Sequence, residues 1–266
     1  MLRAAGLSRS TFYYHLKAQD AADKYATIKA RISAIYIRHK GRYGYRRITA
    51  DLRRAGDLVN HKTVQRLMRG LGLKSLVRPK KYRSYRGEVG RLAPNLLDRQ
   101  FEAAKPHQKW VTDVTEFSVN GQKLYLSPVM DLYNGEIVAY ETSQRPLSGL
   151  VQAMLSKAFK RLASSDRPML HSDQGWQYQQ PSYRRLLANH GVTQSMSRKG
   201  NCLDNAVMEN FFGHLKEEMF HHHEHTSVEA FTAELDDYIH WYNYDRISLT
   251  LECLSPMKYR AQALAA

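Results

Sequence analysis

The order of secondary structure predicted after residue 109 limits this chain to few folds. Trp110–Phe117 is rich in β-branched and aromatic residues, and Leu124–Leu132 and Ile137–Tyr140 are further apolar runs. The pairs Asn120-Gly121 and Asn134-Gly135 separate these runs, and such pairs are typical of hairpin turns. We therefore expect a three-strand antiparallel meander.

Helices and strands alternate after the meander. The patterns predict a helix over 150–162, a strand over 168–171, a helix over 181–188, a strand over 192–196 and two closing helices over 203–220 and 227–243. Three strands followed by this alternation indicate an α/β domain, in which helices flank a mixed sheet. The chain has 266 residues, of which 43% are hydrophobic, and such a composition is that of a folded protein.

Positive charge is concentrated in the N-terminal part of the chain. Residues 1–105 contain 25 Lys and Arg against 7 Asp and Glu, whereas residues 106–266 contain 15 against 18. A concentrated positive charge attracts a polyanion and releases its condensed counterions on contact. So uneven a division is not explained by solubility, and we expect this part to bind nucleic acid.

Three short helices are predicted before residue 75. They cover about 23–40 and 45–54 and a third stretch that Asn60 is placed to cap. A tight turn before the last helix is typical of a helix-turn-helix unit, whose final helix enters the major groove of DNA. On the outer face of that helix, Lys62, Arg66 and Arg69 would contact DNA. A plain three-helix bundle with a solvated basic face is the alternative.

A basic segment without helical period follows. It includes Lys80, Lys81 and Arg83, with Tyr82 and Tyr85 between them. We expect a linker that follows DNA phosphates, with tyrosines available to stack on bases or sugars. A merely solvated connector is the alternative.

Three acidic residues indicate the chemistry of the second part. Asp113 lies inside the first predicted strand, Asp173 comes just after the fourth, and Glu209 lies within a helix. Burying an ionised carboxylate is costly unless it is paired or binds a metal. In phosphodiester chemistry, two Mg²⁺ ions about 3.5–4 Å apart activate the attacking oxygen and stabilise the leaving one. We therefore predict that these acids hold two Mg²⁺ ions, with Mn²⁺ as a substitute.

The helix that contains Glu209 presents further polar residues on the same face. Asn205, Glu209, Phe212 and Lys216 follow one another at steps of four, three and four. We expect Lys216 and Asn205 to position DNA beside the metal ions. For Glu209 and Lys216 taken separately, a solvated helix surface is the alternative.

Several motifs together resemble the transposases of the insertion-sequence-three family, whose catalytic domain is similar to that of retroviral integrases. They are Trp110-x-Thr-Asp113-x-Thr, Ser172-Asp173-x-Gly-x-x-Tyr178, the run from Ser195 to Glu209, and the tail Tyr242-Asn-x-x-Arg246. As in the family pattern, 35 residues separate Asp173 from Glu209, and Lys216 follows seven residues after Glu209. Many relatives have a His shortly after the tail arginine, whereas Ile247-Ser248 stand here, which argues against a direct catalytic role of the tail.

The resemblance implies an RNase H-like catalytic core behind an all-α helix-turn-helix-type region. The implied segments are 1–20 (short helical segment), 21–75 (DNA-binding region), 76–105 (basic linker), 106–226 (catalytic core) and 227–266 (C-terminal extension). It implies Mg²⁺-dependent cleavage at element ends and transfer of the 3′-hydroxyl into double-stranded DNA, in the bacterial cytoplasm and without a membrane. Because no sustained heptad is visible, it also implies a second-frame product that works with a first-frame region or as a fusion, and as a homo-oligomer on DNA.

Two other functions remain open at this stage. A nuclease of the same fold would hydrolyse nucleic acid without joining ends, and an inactive DNA-binding regulator would have lost its catalysis, although all three acids are present. Asp131 could take the place of Asp113 as the first metal ligand. We expect instead that both Asp131 and Asp204 have structural roles. Trp176 and Tyr178 are predicted to pack in the core and its rim.

Overall fold

The computed structural model describes residues 8–10, 12–14, 23–76, 93–198, 202–221 and 224–265. The chain divides into two compact units, Met1–Ser75 and Leu76–Ala266. The predicted linker residues Lys80, Lys81 and Arg83 lie outside the described residues. Among the helices within these ranges, none is long and apolar enough to cross a membrane.

The first unit contains the three predicted helices: α1 (Ala26–Arg38), α2 (Tyr45–Arg54) and α3 (His61–Gly70). The Asn60 side chain accepts a hydrogen bond of 2.8 Å from the backbone N–H of Lys62, which confirms the predicted cap. Apolar side chains from all three helices form the core, among them Ile32, Ile48, Leu52 and Val64. The basic side chains Lys62, Arg66 and Arg69 of α3 are exposed on the outer face, as the helical period predicted.

The second unit is built on one mixed sheet. Its strands are β1 (Lys109–Thr112), β2 (Thr115–Val119), β3 (Gln122–Asp131), β4 (Ile137–Ser143), β5 (Met169–Ser172) and β6 (Thr193–Met196). β1, β2 and β4 pair antiparallel with β3, whereas β5 pairs parallel with β1 and with β6. The predicted Asn120-Gly121 turn connects β2 to β3. Gly121 adopts a φ of +78° there, which L side chains rarely adopt, so glycine suits this position.

The first predicted strand is interrupted at Asp113. Thr112 faces Val129 and Thr115 faces Leu126, so β1 and β2 keep one common register along β3. The strand assignment ends at Thr112 and resumes at Thr115, and the prediction that Asp113 lies inside a continuous strand was wrong in this respect. The backbone N–H of Val114 donates to the Asp113 carboxylate, and this local hydrogen bond competes with the sheet ladder.

Helices cover both faces of the sheet. On one face, α4 (Ser148–Phe159) and α5 (Pro181–Asn189) pack on Trp110, Val129 and Leu170. On the other face, α6 (Ala206–Leu215) and α7 (Val228–Tyr244) pack on Val111 and neighbouring apolar residues of β2 and β3. Both faces therefore bury apolar surface, as the α/β prediction requires.

The helical end of the chain differs from the prediction in two ways. The predicted helix over 203–220 is a 3₁₀ turn (Cys202–Asn205), α6, and a π-helical turn (Lys216–Phe220). A further helix, α8 (Pro256–Ala265), follows α7, so the prediction of only two closing helices was wrong. Proline suits the first position of a helix, because its missing N–H would have no intrahelical partner there.

A buried ion pair fastens the end of α7 to the π-helical turn. Glu218 is fully buried and accepts hydrogen bonds from Arg246 Nη2 at 2.8 Å and Nε at 2.9 Å. The Tyr238 hydroxyl donates to the same carboxylate at 2.9 Å. The tail motif predicted from the sequence is therefore placed in the core, where Arg246 compensates a buried charge.

We predict that Arg246→Met lowers the free energy of unfolding by about 3–5 kcal/mol, because it leaves Glu218 buried without its partner. The matched control is Lys258→Met, since Lys258 pairs with Asp245 at the surface and both side chains are 54% exposed. The control is expected to change stability by less than about 1 kcal/mol. Urea denaturation followed by circular dichroism measures both, and equal losses for the two variants would contradict the prediction.

Candidate active site

Parallel pairing of β1 with β5 brings the first two predicted acids together. Trp110 lies beside Leu170 and Val111 beside His171. Continued by two residues, this register sets Asp113 beside Asp173, where both strands have just ended. The carboxyl ends of neighbouring parallel strands are the usual place for a binding site in such sheets.

Backbone N–H groups orient both carboxylates. Val114 N–H donates to Asp113 Oδ1 at 2.7 Å, and Gly175 N–H donates to Asp173 Oδ1 at 2.9 Å. A Cβ at Gly175 would lie 2.9 Å from that same Asp173 oxygen and 2.5 Å from Gln177 Nε2. The glycine of the Asp173-x-Gly motif is thus needed for the close approach of the backbone to the acid.

The third acid comes from α6, the helix that crosses the end of β1. Just before this helix, Asn205 is buried, and its amide donates to the Thr112 carbonyl at 3.4 Å. This contact joins the start of α6 to the residue that precedes Asp113. Glu209 lies one turn further along and is partly exposed.

The charges of the three acids interact. Burial and the neighbouring Asp173 carboxylate, with a smaller contribution from Glu209, raise the pKa of Asp113 to about 8. Burial also raises the pKa of Asp173 and of Glu209 above their usual values. Strongly raised carboxyl pKa values are found frequently at functional sites.

Lys216 adds a positive charge to this group. Its ammonium lies 5.4 Å from the centre of the Phe117 ring and lowers the pKa of Asp113. The lysine stands at the first position of the π-helical turn, directly after α6. π-Helical turns occur frequently at functional sites.

The residue types suit a hard divalent cation. All the candidate ligands are carboxylate oxygens, which Mg²⁺ prefers, and mutual repulsion of three such groups would be relieved by positive charge between them. Among the residues that the structure describes, no group of three His, Cys, Asp or Glu side chains is arranged to hold one metal ion. Since Mg²⁺ keeps several waters and binds one or two protein carboxylates, a pair of acids per ion is sufficient.

Other residues singled out in the sequence have different surroundings. Asp131 is fully buried at the far end of β1, where it accepts hydrogen bonds from the N–H groups of His107 and Tyr133, which confirms its structural role. Asp204 is also fully buried and hydrogen-bonded. Tyr178 is buried in the core, whereas Trp176 is 51% exposed and therefore lies outside it.

A buried histidine beside the site was missed by sequence reasoning. The ring nitrogens of His171 lie 2.8 Å from Ser195 Oγ and 3.1 Å from Ser197 Oγ. Burial lowers the pKa of His171 to about 4, so the ring is neutral near pH 7. These contacts fix the strand end that carries Asp173 to β6. The only signal in the sequence was the position of His171 two residues before Asp173.

Comparison with known families agrees with this architecture. An integrase core domain matches residues 103–202, an HTH-like domain matches residues 23–81, and a second integrase core domain family matches residues 209–264. The chain belongs to the insertion-sequence transposases that carry an integrase core domain, behind an HTH-like region.

Two relatives in sequence are named as transposases of insertion sequences. InsK of insertion sequence element IS150 from Escherichia coli (strain K12), which is named as a transposase, is 57% identical over 98% of this chain and 93% of its own length. The transposase InsF for insertion sequence IS3A from the same organism is 35% identical over 88% of this chain and 82% of its own length. Among solved structures, the HTLV-2 integrase catalytic core domain in complex with magnesium is 13% identical, covers 59% of this chain and 98% of that chain, and has a TM-score of 0.45.

We predict that Asp113→Asn stabilises the metal-free protein at about pH 8. The folded-state pKa of about 8 lies above the ordinary value of 3.8, so the free energy of unfolding falls as the pH rises from about 4 to about 8, where the unfolded state has lost this proton and the folded state still holds it. The amide removes this charge, and the melting temperature should rise by about 2–4 °C for each kcal/mol of repulsion removed. The gain should become smaller toward pH 5.

Thermal melts in chelator measure this effect. Asp237→Asn is the control, because Asp237 is exposed on α7. Added Mg²⁺ should then raise the melting temperature of the wild type more than that of Asp113→Asn. A lower melting temperature of Asp113→Asn in chelator at pH 8 would contradict the account of the site.

Proposed function

We propose that this protein is a Mg²⁺-dependent polynucleotidyl transferase that cuts DNA at element ends and joins the new 3′-hydroxyl to another DNA. The observation that carries the proposal is the register that sets Asp113 beside Asp173, with the charges of Asp173 and Glu209 both raising the pKa of Asp113. Membership in the insertion-sequence transposases supports the choice of DNA as substrate.

The reaction is two successive phosphoryl transfers. In the first, water attacks the phosphorus at an element end, the bond to the 3′-oxygen breaks, and that oxygen takes a proton to become a 3′-hydroxyl. In the second, this hydroxyl attacks a phosphorus of the target, loses its proton, and displaces the target's 3′-oxygen. One phosphodiester bond is formed for each one broken in the second step, so no high-energy cofactor is needed.

The protein's own groups would orient the reactants for these steps. Asp113 and Asp173 would share one ion, and Asp113 and Glu209 the other, which would activate the attacking oxygen and stabilise the leaving one. The N–H groups of Val114 and Gly175 hold the two aspartates in position before DNA binds. Lys216 and Asn205 would position DNA, Lys216 through its charge and Asn205 through its bond to the strand that precedes Asp113.

The first unit would supply much of the affinity for DNA. On α3 the exposed Lys62, Arg66 and Arg69 would face the major groove, and the linker residues Lys80, Lys81 and Arg83 would follow the phosphates. A homo-oligomer on DNA and a first-frame region as a partner are part of the same proposal. Addition of the first-frame region should tighten specific binding to element ends in a gel shift at fixed salt.

We predict that Asp173→Asn leaves folding and DNA binding nearly unchanged but lowers strand cleavage by about 10³-fold or more, as expected when the metal-binding carboxylate is lost. The measurement is cleavage of a labelled duplex that contains an element end, with Mg²⁺. Asp237→Asn is the control, because Asp237 is exposed on α7 and outside the site. Cleavage by Asp173→Asn at the wild-type rate would refute the metal assignment.

The same assay separates the proposal from its alternatives. Labelled element DNA covalently joined to a target plasmid is the product of a transferase. A nuclease of the same fold would give cleaved ends without joined product, and an inactive regulator would give neither while still binding DNA.

A further inference from the structure

A buried carboxylate holds two half-exposed arginines at the edge of the candidate active site. Asp204 is fully buried and accepts hydrogen bonds from Arg99 Nε at 3.0 Å and from Arg198 Nε at 3.0 Å and Nη2 at 3.1 Å. The Asn95 amide and the backbone N–H of Arg198 bind the same carboxylate, each at 3.0 Å. The arginine side chains themselves remain 45% and 51% exposed.

This cluster adjoins both acid-bearing elements of the site. Asp204 precedes Asn205, whose amide bonds to the carbonyl just before Asp113. Arg198 follows Ser197, whose carbonyl accepts a hydrogen bond of 2.9 Å from the side chain of Gln174, the residue after Asp173. The two guanidinium groups therefore lie beside the start of the helix that carries Glu209.

The backbone at Arg99 is held in an unusual conformation. Asp98 and Arg99 have φ values of +41° and +61°, two successive non-glycine residues in the left-handed region. The preceding segment is fixed by Ser195 Oγ, which accepts hydrogen bonds from the N–H groups of Leu96 and Leu97. Such conformations persist only where surrounding contacts impose them, and they occur frequently at functional sites.

The arginines have capacity left for a second anion. Of the hydrogen bonds that the described residues make, Arg99 uses only its Nε, although a guanidinium has further N–H donors in a fixed plane. Asp204 holds Arg198 through Nε and Nη2 and Arg99 through Nε alone, so the other N–H groups are oriented before a ligand arrives. A preoriented guanidinium favours bidentate binding of phosphate.

Two acidic groups oppose anion binding at this place, the Asp204 carboxylate, which neutralises one of the two arginine charges, and Asp98. Asp98 Oδ1 lies 3.4 Å from Arg198 Nη2, and the Asp98 side chain is 67% exposed. Exposed pairs of this kind contribute little free energy and are easily exchanged for another partner. Asp98 therefore lowers the affinity of the cluster for an anion without blocking it.

We infer that Arg99 and Arg198, fixed by Asp204, bind a backbone phosphate of the DNA held in the active site. This inference deepens the proposed function, since it assigns a DNA contact next to the three acids, and its test requires no catalysis. The ligand chemistry is a phosphodiester, recognised by charge and by paired N–H donors rather than by base sequence.

A second cluster of the same construction provides a matched control. Glu136 is buried and accepts hydrogen bonds from Arg161 at 2.9 Å and from Arg260 at 2.7 Å. The Arg161 side chain is 45% exposed, the same fraction as that of Arg99. Glu136 lies in the turn between β3 and β4, at the opposite end of β1 from Asp113, so its arginines are not at the site.

The test measures binding of the full chain to a short duplex in chelator, by fluorescence anisotropy over a series of salt concentrations. Arg99→Gln and Arg198→Gln should each weaken binding by about 3- to 10-fold at low salt and reduce the slope of log K against log salt by about 0.9. Arg161→Gln should change neither quantity. Asp98→Asn should strengthen binding by about 2-fold, because it removes a negative charge beside the phosphate.

Each outcome decides the inference. The inference would be overturned if Arg99→Gln and Arg198→Gln bind DNA with the same affinity and the same salt dependence as Arg161→Gln. If either arginine variant lowers the melting temperature, Asp98→Asn decides, and unchanged binding by Asp98→Asn would overturn the inference. If these variants cleave DNA normally and bind it as the wild type does, only this inference is refuted. If the variants bind DNA more weakly but the wild type does not cleave it, only the proposed function is refuted.

Discussion

Burial of two carboxyl groups side by side at neighbouring strand ends, with the repulsion between their charges added to it, is the interaction on which the site depends. Parallel pairing of β1 with β5 sets Asp113 beside Asp173, and the end of each strand leaves its acid with a backbone N–H as a hydrogen-bond partner. The protein thereby keeps the charges close at a cost in stability. A divalent cation between the acids would recover that cost, so metal binding and the stability of this part of the sheet are linked.

The rest of the catalytic unit keeps the third acid close to the other two. Asn205 ties the start of α6 to β1, and Tyr242 of α7 packs edge-on against Phe211 of α6 with 5.0 Å between ring centres. Arg246, four residues after Tyr242, is paired with Glu218 in the π-helical turn that follows α6. The tail motif thus supports the helix that carries Glu209. This explains why the tail occurs together with the motifs of the three acids although it has no exposed catalytic side chain.

The sequence was sufficient to predict the parts of this fold that depend on local patterns. Hydrophobic alternation, turn pairs and the cap at Asn60 depend on neighbouring residues, so the order of strands and helices was predictable. The break at Asp113 was not, since β-branched and aromatic residues continue on both sides of it and the hydrogen bond from Val114 N–H to the Asp113 carboxylate is visible only in the structure. The helix Pro256–Ala265 begins with a proline, which is typical of a first helical position, but no pronounced apolar face indicates the rest of the helix.

Contacts between distant segments were beyond sequence reasoning. Arg99 meets Asp204 across 105 residues, and no periodicity indicates such a pair. The three acids were singled out by their positions at strand ends and within a helix, and their spacing then matched a known pattern, but the contacts that hold them in place were not predictable. The exposure of Trp176 likewise depends on how the turn after β5 packs.

The central claim is that the three acids share divalent ions, and anomalous scattering from manganese tests it most directly. Crystals of the protein with bound DNA and Mn²⁺ should show one anomalous peak between the carboxylates of Asp113 and Asp173 and a second between those of Asp113 and Glu209. Absence of peaks at these carboxylates, with manganese bound elsewhere in the chain, would contradict the account.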